Sequence, residues 1–226
     1  MEQTMYHMLL RLPLFQGMSR EDLFCVLEQT TFHFCRIENG KTAFRQGDQC
    51  QELTFLMSGM LVAETQAPHA PLSFAEELAP YMVLEPQSLF GKRPNYKSTY
   101  VAQGEVSLLC ISKREVYRLL ETYEIFRINF LNMLCSKTEN LHECLWSFVP
   151  QGLEGRMALF IYSLCTTSQG TKVLRIKMED LASLLDDTRL NVSRVLNKWR
   201  EEGYIIMHRR EFVIPDIQKL IAFLGL

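Results

Sequence analysis

Arg189 and Arg194 stand in a segment whose apolar residues, Val192, Val195, Leu196 and Trp199, recur at helical spacing. On such a helix the two arginines fall off the apolar face, together with Asn191, Ser193, Lys198 and Arg200. A guanidinium is a planar fork that pairs bidentately with the O6/N7 edge of guanine, and a helix is the element that fits the major groove. Hydroxyls and the free N–H groups of a helix N-terminus suit phosphate oxygens. Thr188 or Asp187 can cap this helix. Just before it, Asp186-Asp187 makes a tight turn, because Asp tolerates left-handed backbone better than most residues. A shorter helix precedes the turn, with Leu181, Leu184 and Leu185 as its inner face. Further on, Arg209 and Arg210 occupy the tip of a hairpin, where they would touch a backbone beside the groove. The candidate DNA-binding set is Thr188, Arg189, Asn191, Ser193, Arg194, Lys198, Arg209 and Arg210. Each arginine alone reads as charge on a solvated face. Helix pair, turn and basic hairpin together read as a winged helix-turn-helix that grips double-stranded DNA.

Other chemistries find less support. The chain has no G-x-S-x-G, H-E-x-x-H or P-loop pattern, and no nucleophile–base set, so an enzyme is not expected. His33 and His69 stand alone, whereas a metal-binding β-roll enzyme would cluster its histidines. The seven cysteines, at 25, 35, 50, 110, 135, 144 and 165, include no C-x-x-C pair. They read as reduced thiols among apolar neighbours rather than a zinc or iron–sulfur site, so no metal site is assigned. A ligand-binding or scaffold protein with a degenerate winged helix is the remaining alternative. Net charge is -2, but residues 150–226 carry eleven Lys/Arg against nine Asp/Glu, and residues 1–149 carry thirteen against seventeen. The basic excess thus lies with the candidate DNA-binding half. With no leader pattern and no run of about 18 apolar residues, a cytoplasmic protein with no membrane partner is expected.

These residues need elements to hold them. Residues 5–30 read as short helices, with Ser19-Arg20-Glu21-Asp22 as a capping box. From 31 to about 112, short alternating segments are broken by Asn39-Gly40, Gly47-Asp48 and Ser58-Gly59, and Val106–Ile111 closes the series. That texture predicts many short strands in a sandwich or barrel. From 113 to 148 the pattern is helical, and Ile125, Ile128, Leu131, Leu134, Leu141 and Leu145 form a long one-sided stripe. Such a stripe suits a dimer seam, the alternative being a helix lying on its own domain. Pro150-Gln151-Gly152 reads as a hinge, Leu153–Cys165 as a helix, Thr166–Gly170 as a loop and Val173–Ile176 as a strand. The expected domains are a sensor with flanking helices over 1–121, a dimerisation helix and hinge over 122–149, and a DNA-binding domain over 150–226.

Several of these segments resemble the CRP/FNR family, the cyclic-AMP receptor protein and its relatives. The resemblance rests on residues 39–48, on Leu53-Thr54-Phe55-Leu56-Met57-Ser58-Gly59, on Leu89-Phe90-Gly91, on Gly155-Arg156 and on residues 187–194. It implies an α+β fold: an N-terminal double-stranded β-helix (a jelly-roll of the cyclic-nucleotide-binding type), a long dimerisation helix and a C-terminal winged helix. It also implies a homodimer on an inverted-repeat operator, working with RNA polymerase. By position, Arg189 and Arg194 become the base-reading arginines, and Leu190 replaces a Glu common in the family. The effector pocket falls, by the same resemblance, on Glu85, Tyr96, Lys97, Leu141 and His142. Counted without gaps, Pro86 replaces the family's ribose-binding Glu, and Tyr96-Lys97 replace its phosphate-binding Arg and hydroxyl residue. Leu141-His142 replace a hydroxyl pair that meets adenine. Cyclic AMP is therefore not the expected effector. The clustered N-terminal cysteines of the iron–sulfur sensors are absent, and no cofactor is assigned. A haem held by His7, His33, His69, His142 or a cysteine has no spacing to single it out. An unidentified small effector, or none, is the expectation.

Overall fold

A computed structural model describes residues 2–146 and 152–224. Pro150 and Gln151 of the expected hinge lie outside the described residues, as does the side chain of Leu145. The elements, in order, are helices α1 (Glu2–Leu9) and α2 (Arg20–Gln29), then strands β1 (Phe32–Ile37), β2 (Thr42–Phe44), β3 (Glu52–Gln66), β4 (Ser73–Leu78) and β5 (Met82–Leu84). They continue with α3 (Pro86–Phe90), β6 (Thr99–Ser112), α4 (Lys113–Thr122), α5 (Glu124–Trp146) and α6 (Leu153–Leu164). The remainder is β7 (Lys172–Arg175), α7 (Met178–Leu184), α8 (Arg189–Glu201), β8 (Ile206–His208), β9 (Glu211–Ile214) and α9 (Ile217–Leu224). No helix among the described residues is long and apolar enough to cross a membrane.

The chain forms two compact units. The first holds residues up to Leu61 together with Ala79–Asn140. Its antiparallel sheet is built on β6, which pairs β1 from Phe32↔Ile111 to Ile37↔Val106 and pairs β2 near its start. Strand β5 pairs β3 through Thr54↔Leu84. This is the expected jelly-roll. Residues 53–57 and 108–111 are buried without a break, so these stretches are covered on both faces rather than on alternate positions alone. Ser58-Gly59 is not a turn, contrary to the sequence reading, because β3 runs on to Gln66. Gly59 instead bends the strand at φ 82°, and a Cβ there would strike the Glu105 carbonyl. Glycine marks a close backbone approach inside a strand.

The helical signals land where the caps put them. Ser19 caps α2, accepting the Asp22 N–H at 3.0 Å, and Ser112 caps α4, accepting that of Glu115 at 3.3 Å. Helix α5 buries Phe126 and Phe130 within its own chain. Asn129 donates to the Leu14 and Gln16 carbonyls at 3.1 and 2.8 Å, fixing α5 to the N-terminal segment. The stripe faces elsewhere, for Ile125, Ile128, Leu131 and Leu141 are all exposed.

The second unit holds Val62–Leu78 and the chain from Leu141 onward. Its strands run in the order β4-β7-β9-β8, all antiparallel. Its core includes Met157, Ile161, Leu174, Leu181, Val192, Leu196, Trp199, Phe212 and Leu220. Leu184 is not part of the inner face of α7 as expected. It is half exposed, and Ala182 is buried in its stead. The division into units also differs from the expected boundaries, since residues 62–78 join the winged helix rather than the sensor. Alternating apolar residues make a strand, but they do not say which sheet it enters.

Candidate nucleic-acid interface

The candidate recognition helix α8 is set by its N-terminus. Asp186 takes the left-handed conformation at φ 49°, which turns the chain sharply between α7 and α8. Thr188 is the cap, its hydroxyl accepting the Asn191 N–H at 3.2 Å. Val192, Leu196 and Trp199 anchor the helix in the core. Arg189, Leu190 and Arg194 remain on the outer face, with Arg189 side-chain exposure at 69% and Leu190 at 60%.

Asp187 organises the first turn. Its Oδ1 accepts the Thr188 N–H and the Asn191 side-chain amide, both at 2.8 Å, and its Oδ2 meets Arg156 of α6 at 2.9 Å. The Asn191 side-chain Oδ1 then accepts from Arg194 at 3.3 Å. A chain of polar contacts thus runs Arg156–Asp187–Asn191–Arg194 and aims the second arginine. The Asn191 amide, together with the Thr188 N–H and Arg156, holds the Asp187 carboxyl below the usual carboxylate range. The carboxylate is therefore charged whenever the site is at work. Asn191 serves here as a positioning residue, and the motif's spacing gave no sign of Arg156 as its outer anchor.

The other candidates divide. The Arg189 Nε lies 3.2 Å from Glu179, an exposed pair worth about 0–1 kcal/mol, so it is readily given up to another partner. Lys198 is engaged by Glu154 at 2.8 and 3.1 Å, which raises its pKa and turns it toward α6. Ser193 is half-buried and accepts from Asn197 at 3.4 Å. Arg209 and Arg210 are exposed at the turn joining β8 to β9, with Arg210 at φ 63°. What is brought together is an exposed arginine pair and a leucine on α8, with two further arginines on the wing.

The sensor candidates are arranged differently from their expected roles. Glu85, with a left-handed backbone at φ 38°, buries its carboxylate in a cradle of donors. It accepts the Lys97 N–H at 2.8 and 2.9 Å, the Ser98 N–H at 3.0 Å, the Tyr100 hydroxyl at 2.9 Å and the Ser88 hydroxyl at 2.7 Å. The backbone of Lys97 does this work, while its exposed ammonium reaches the Arg93 carbonyl at 3.3 Å. Tyr96 is buried, stacked on Phe44 at 4.6 Å, and burial pushes its phenol strongly up. Leu141 and His142 are exposed on the last turns of α5, where the His142 ring lies against Trp146.

Comparison with known proteins agrees with this architecture. Residues 34–123 match the model of the cyclic nucleotide-binding domain, and residues 155–223 match that of the Crp-like helix-turn-helix domain. The chain is 21% identical to the transcriptional regulatory protein btr of Bordetella pertussis over 196 residues, 84% of this chain and 80% of that protein. Its fold resembles the Thermus thermophilus catabolite activator protein, with a TM-score of 0.52 at 23% identity over 95% of this chain and 99% of that one. It also resembles the sensor domain of the regulator DNR from Pseudomonas aeruginosa, at 0.53 and 20% identity over 67% of this chain and 97% of that domain. With a cyclic-nucleotide-binding model followed by a Crp-like helix-turn-helix along one chain, the protein belongs to the CRP/FNR family of transcription regulators.

Proposed function

We propose that the protein is a sequence-specific, homodimeric regulator that lays α8 in the major groove and its Arg209-Arg210 wing on the adjacent phosphates. The observation that carries this reading is the exposed Arg189–Leu190–Arg194 face, aimed by the Arg156–Asp187–Asn191 contacts. Arginine suits guanine, and the leucine offers an apolar surface for a thymine methyl. The stripe on α5 supports the dimer, because four exposed large apolar residues on one helix need a partner. As a regulator of this kind it works with RNA polymerase.

Control comes from a signal other than cyclic AMP. In support of this reading, Glu85 itself takes up the Lys97 and Ser98 N–H groups and the Tyr100 hydroxyl, so these donors are not free for a cyclic phosphate. Haem or another small effector remains within this reading.

Selection from a random duplex library tests the first part. Enrichment of an inverted repeat is expected, and binding without sequence enrichment would refute it. Calorimetry with cyclic AMP tests the second, with no binding expected at micromolar ligand.

A further inference from the structure

We infer that the hairpin of residues 62–78 is a structural part of the winged helix, and that the Glu76–Lys172 pair latches this hairpin onto β7. The residues matching the cyclic-nucleotide-binding model run through this hairpin without a break, yet the hairpin packs in the second unit. Strand β3 starts in the first unit and ends in the second, so one element carries the sensor into the hairpin.

The junction is built rather than incidental. Strand β4 pairs β7 in register from Ser73↔Arg175 to Glu76↔Lys172. Without it, β7 would be an open edge, a liability that native sheets cover. Phe74 is buried in the same core as Trp199 and Phe212. Lys172 is fully buried at 0% exposure, and its ammonium meets Glu76 at 3.1 Å, itself only 4% exposed. The ammonium also donates to the Gln169 carbonyl at 2.6 Å.

Two adjacent glutamates then organise the whole 166–171 loop. Glu76 accepts the Thr166 N–H at 3.0 Å to both oxygens and that of Thr167 at 3.4 Å. Glu77 accepts the Thr171 N–H at 3.0 Å, and its own N–H donates to the Thr171 carbonyl at 3.0 Å. Gly170 sits at φ 77°, where a Cβ would come within 2.7 Å of the Glu77 carbonyl.

A buried ammonium cannot stand without its partner. If the hairpin withdraws, Lys172 loses its carboxylate, the loop loses its acceptors and β7 loses its neighbour at once. Strand β7 pairs β9, and β9 pairs β8, whose turn carries Arg209 and Arg210. Release of the hairpin therefore loosens the wing.

Hydrogen–deuterium exchange on the full-length protein without DNA tests this. In the wild type, amides of 73–76 and 172–175 should be protected. Lys172→Ala should speed exchange of both segments and of 211–214 on the order of a hundredfold, while 106–111 of the β-roll stays unchanged. The double variant Glu76→Gln with Lys172→Met removes both charges, keeps an acceptor for the Thr166 N–H and should recover protection, which separates loss of the latch from general misfolding. Free exchange at 73–76 in the wild type would overturn the inference. So would acceleration confined to 172–175, or a double variant as labile as the single one. The role of the wing in DNA binding rests on the proposed function, but this readout does not, so the two can fail separately.

Discussion

Asp187 fixes the geometry of the residues proposed to read bases. Its pKa is lowered in the folded chain by the Asn191 amide, then by the Thr188 N–H and Arg156, so the folded state favours its charged form. The resulting stabilisation is fully present above the ordinary value of 3.8 and is lost as pH falls through the depressed folded value. A carbon-detected titration should place the Asp187 midpoint below 3.8, with the Asn191 side-chain resonances shifting in step. A midpoint at or above that value would remove the contacts from the account. Glu85 is the second case. Removing its carboxylate leaves two backbone N–H groups and two hydroxyls facing an empty cradle. Glu85→Ala should therefore cost at least about 2 kcal/mol in chemical denaturation. No measurable cost would mean that water serves these donors equally well. Neither role was legible in the sequence. Counting from Leu89-Phe90 reached Pro86 and Tyr96 by position, but the donors are main-chain groups that a sequence does not display, and the residue they hold is Glu85.

At the scale of elements, legibility followed locality. Caps and periodicity act over three or four residues, so Ser19, Thr188 and the apolar face of α8 could be read directly. Leu184 fits the period of α7, yet it lies outside the core because neighbouring elements decide how wide a buried stripe is. Gly59 resembles a turn residue locally, and only the approach of β6 explains it. Helix α5 shows both sides of this. Its stripe was visible in the sequence, whereas Phe126 and Phe130 turned out to make the contacts within the chain, leaving Ile125, Ile128, Leu131 and Leu141 exposed. Fully covering such side chains contributes about 1.5–3 kcal/mol each. Replacing Leu134 and Leu141 together with Asp should therefore shift the protein from dimer to monomer in sedimentation. A double variant that sediments as the proposed dimer would move the seam off this helix.

At the scale of the whole molecule, the basic excess of residues 150–226 against the acidic balance of the rest becomes a matter of docking. The charge could be summed from the sequence, but the share that faces outward could not, because Lys198 is occupied by Glu154 and Arg175 by Glu64 and Glu211. Arg189 and Arg194 on α8 and Arg209 and Arg210 on the wing face outward, as do Lys177 and Arg200. A two-fold dimer of such units should read an inverted repeat with half-sites about 34 Å apart, one turn of the duplex. The two arginine pairs should then fail differently. Arg194→Ala removes a guanidinium aimed at a base edge, so it should cost about 1–3 kcal/mol per half-site at the cognate base pair and relax selection there. Arg209→Ala removes a phosphate contact, so it should weaken every sequence alike and lower the salt slope by about one per half-site. Competition binding on a selected operator and its single-base variants, at several salt concentrations, separates the two effects. If Arg194→Ala leaves base preference intact while Arg209→Ala changes it, the wing rather than α8 lies against the bases, and the docking is reversed.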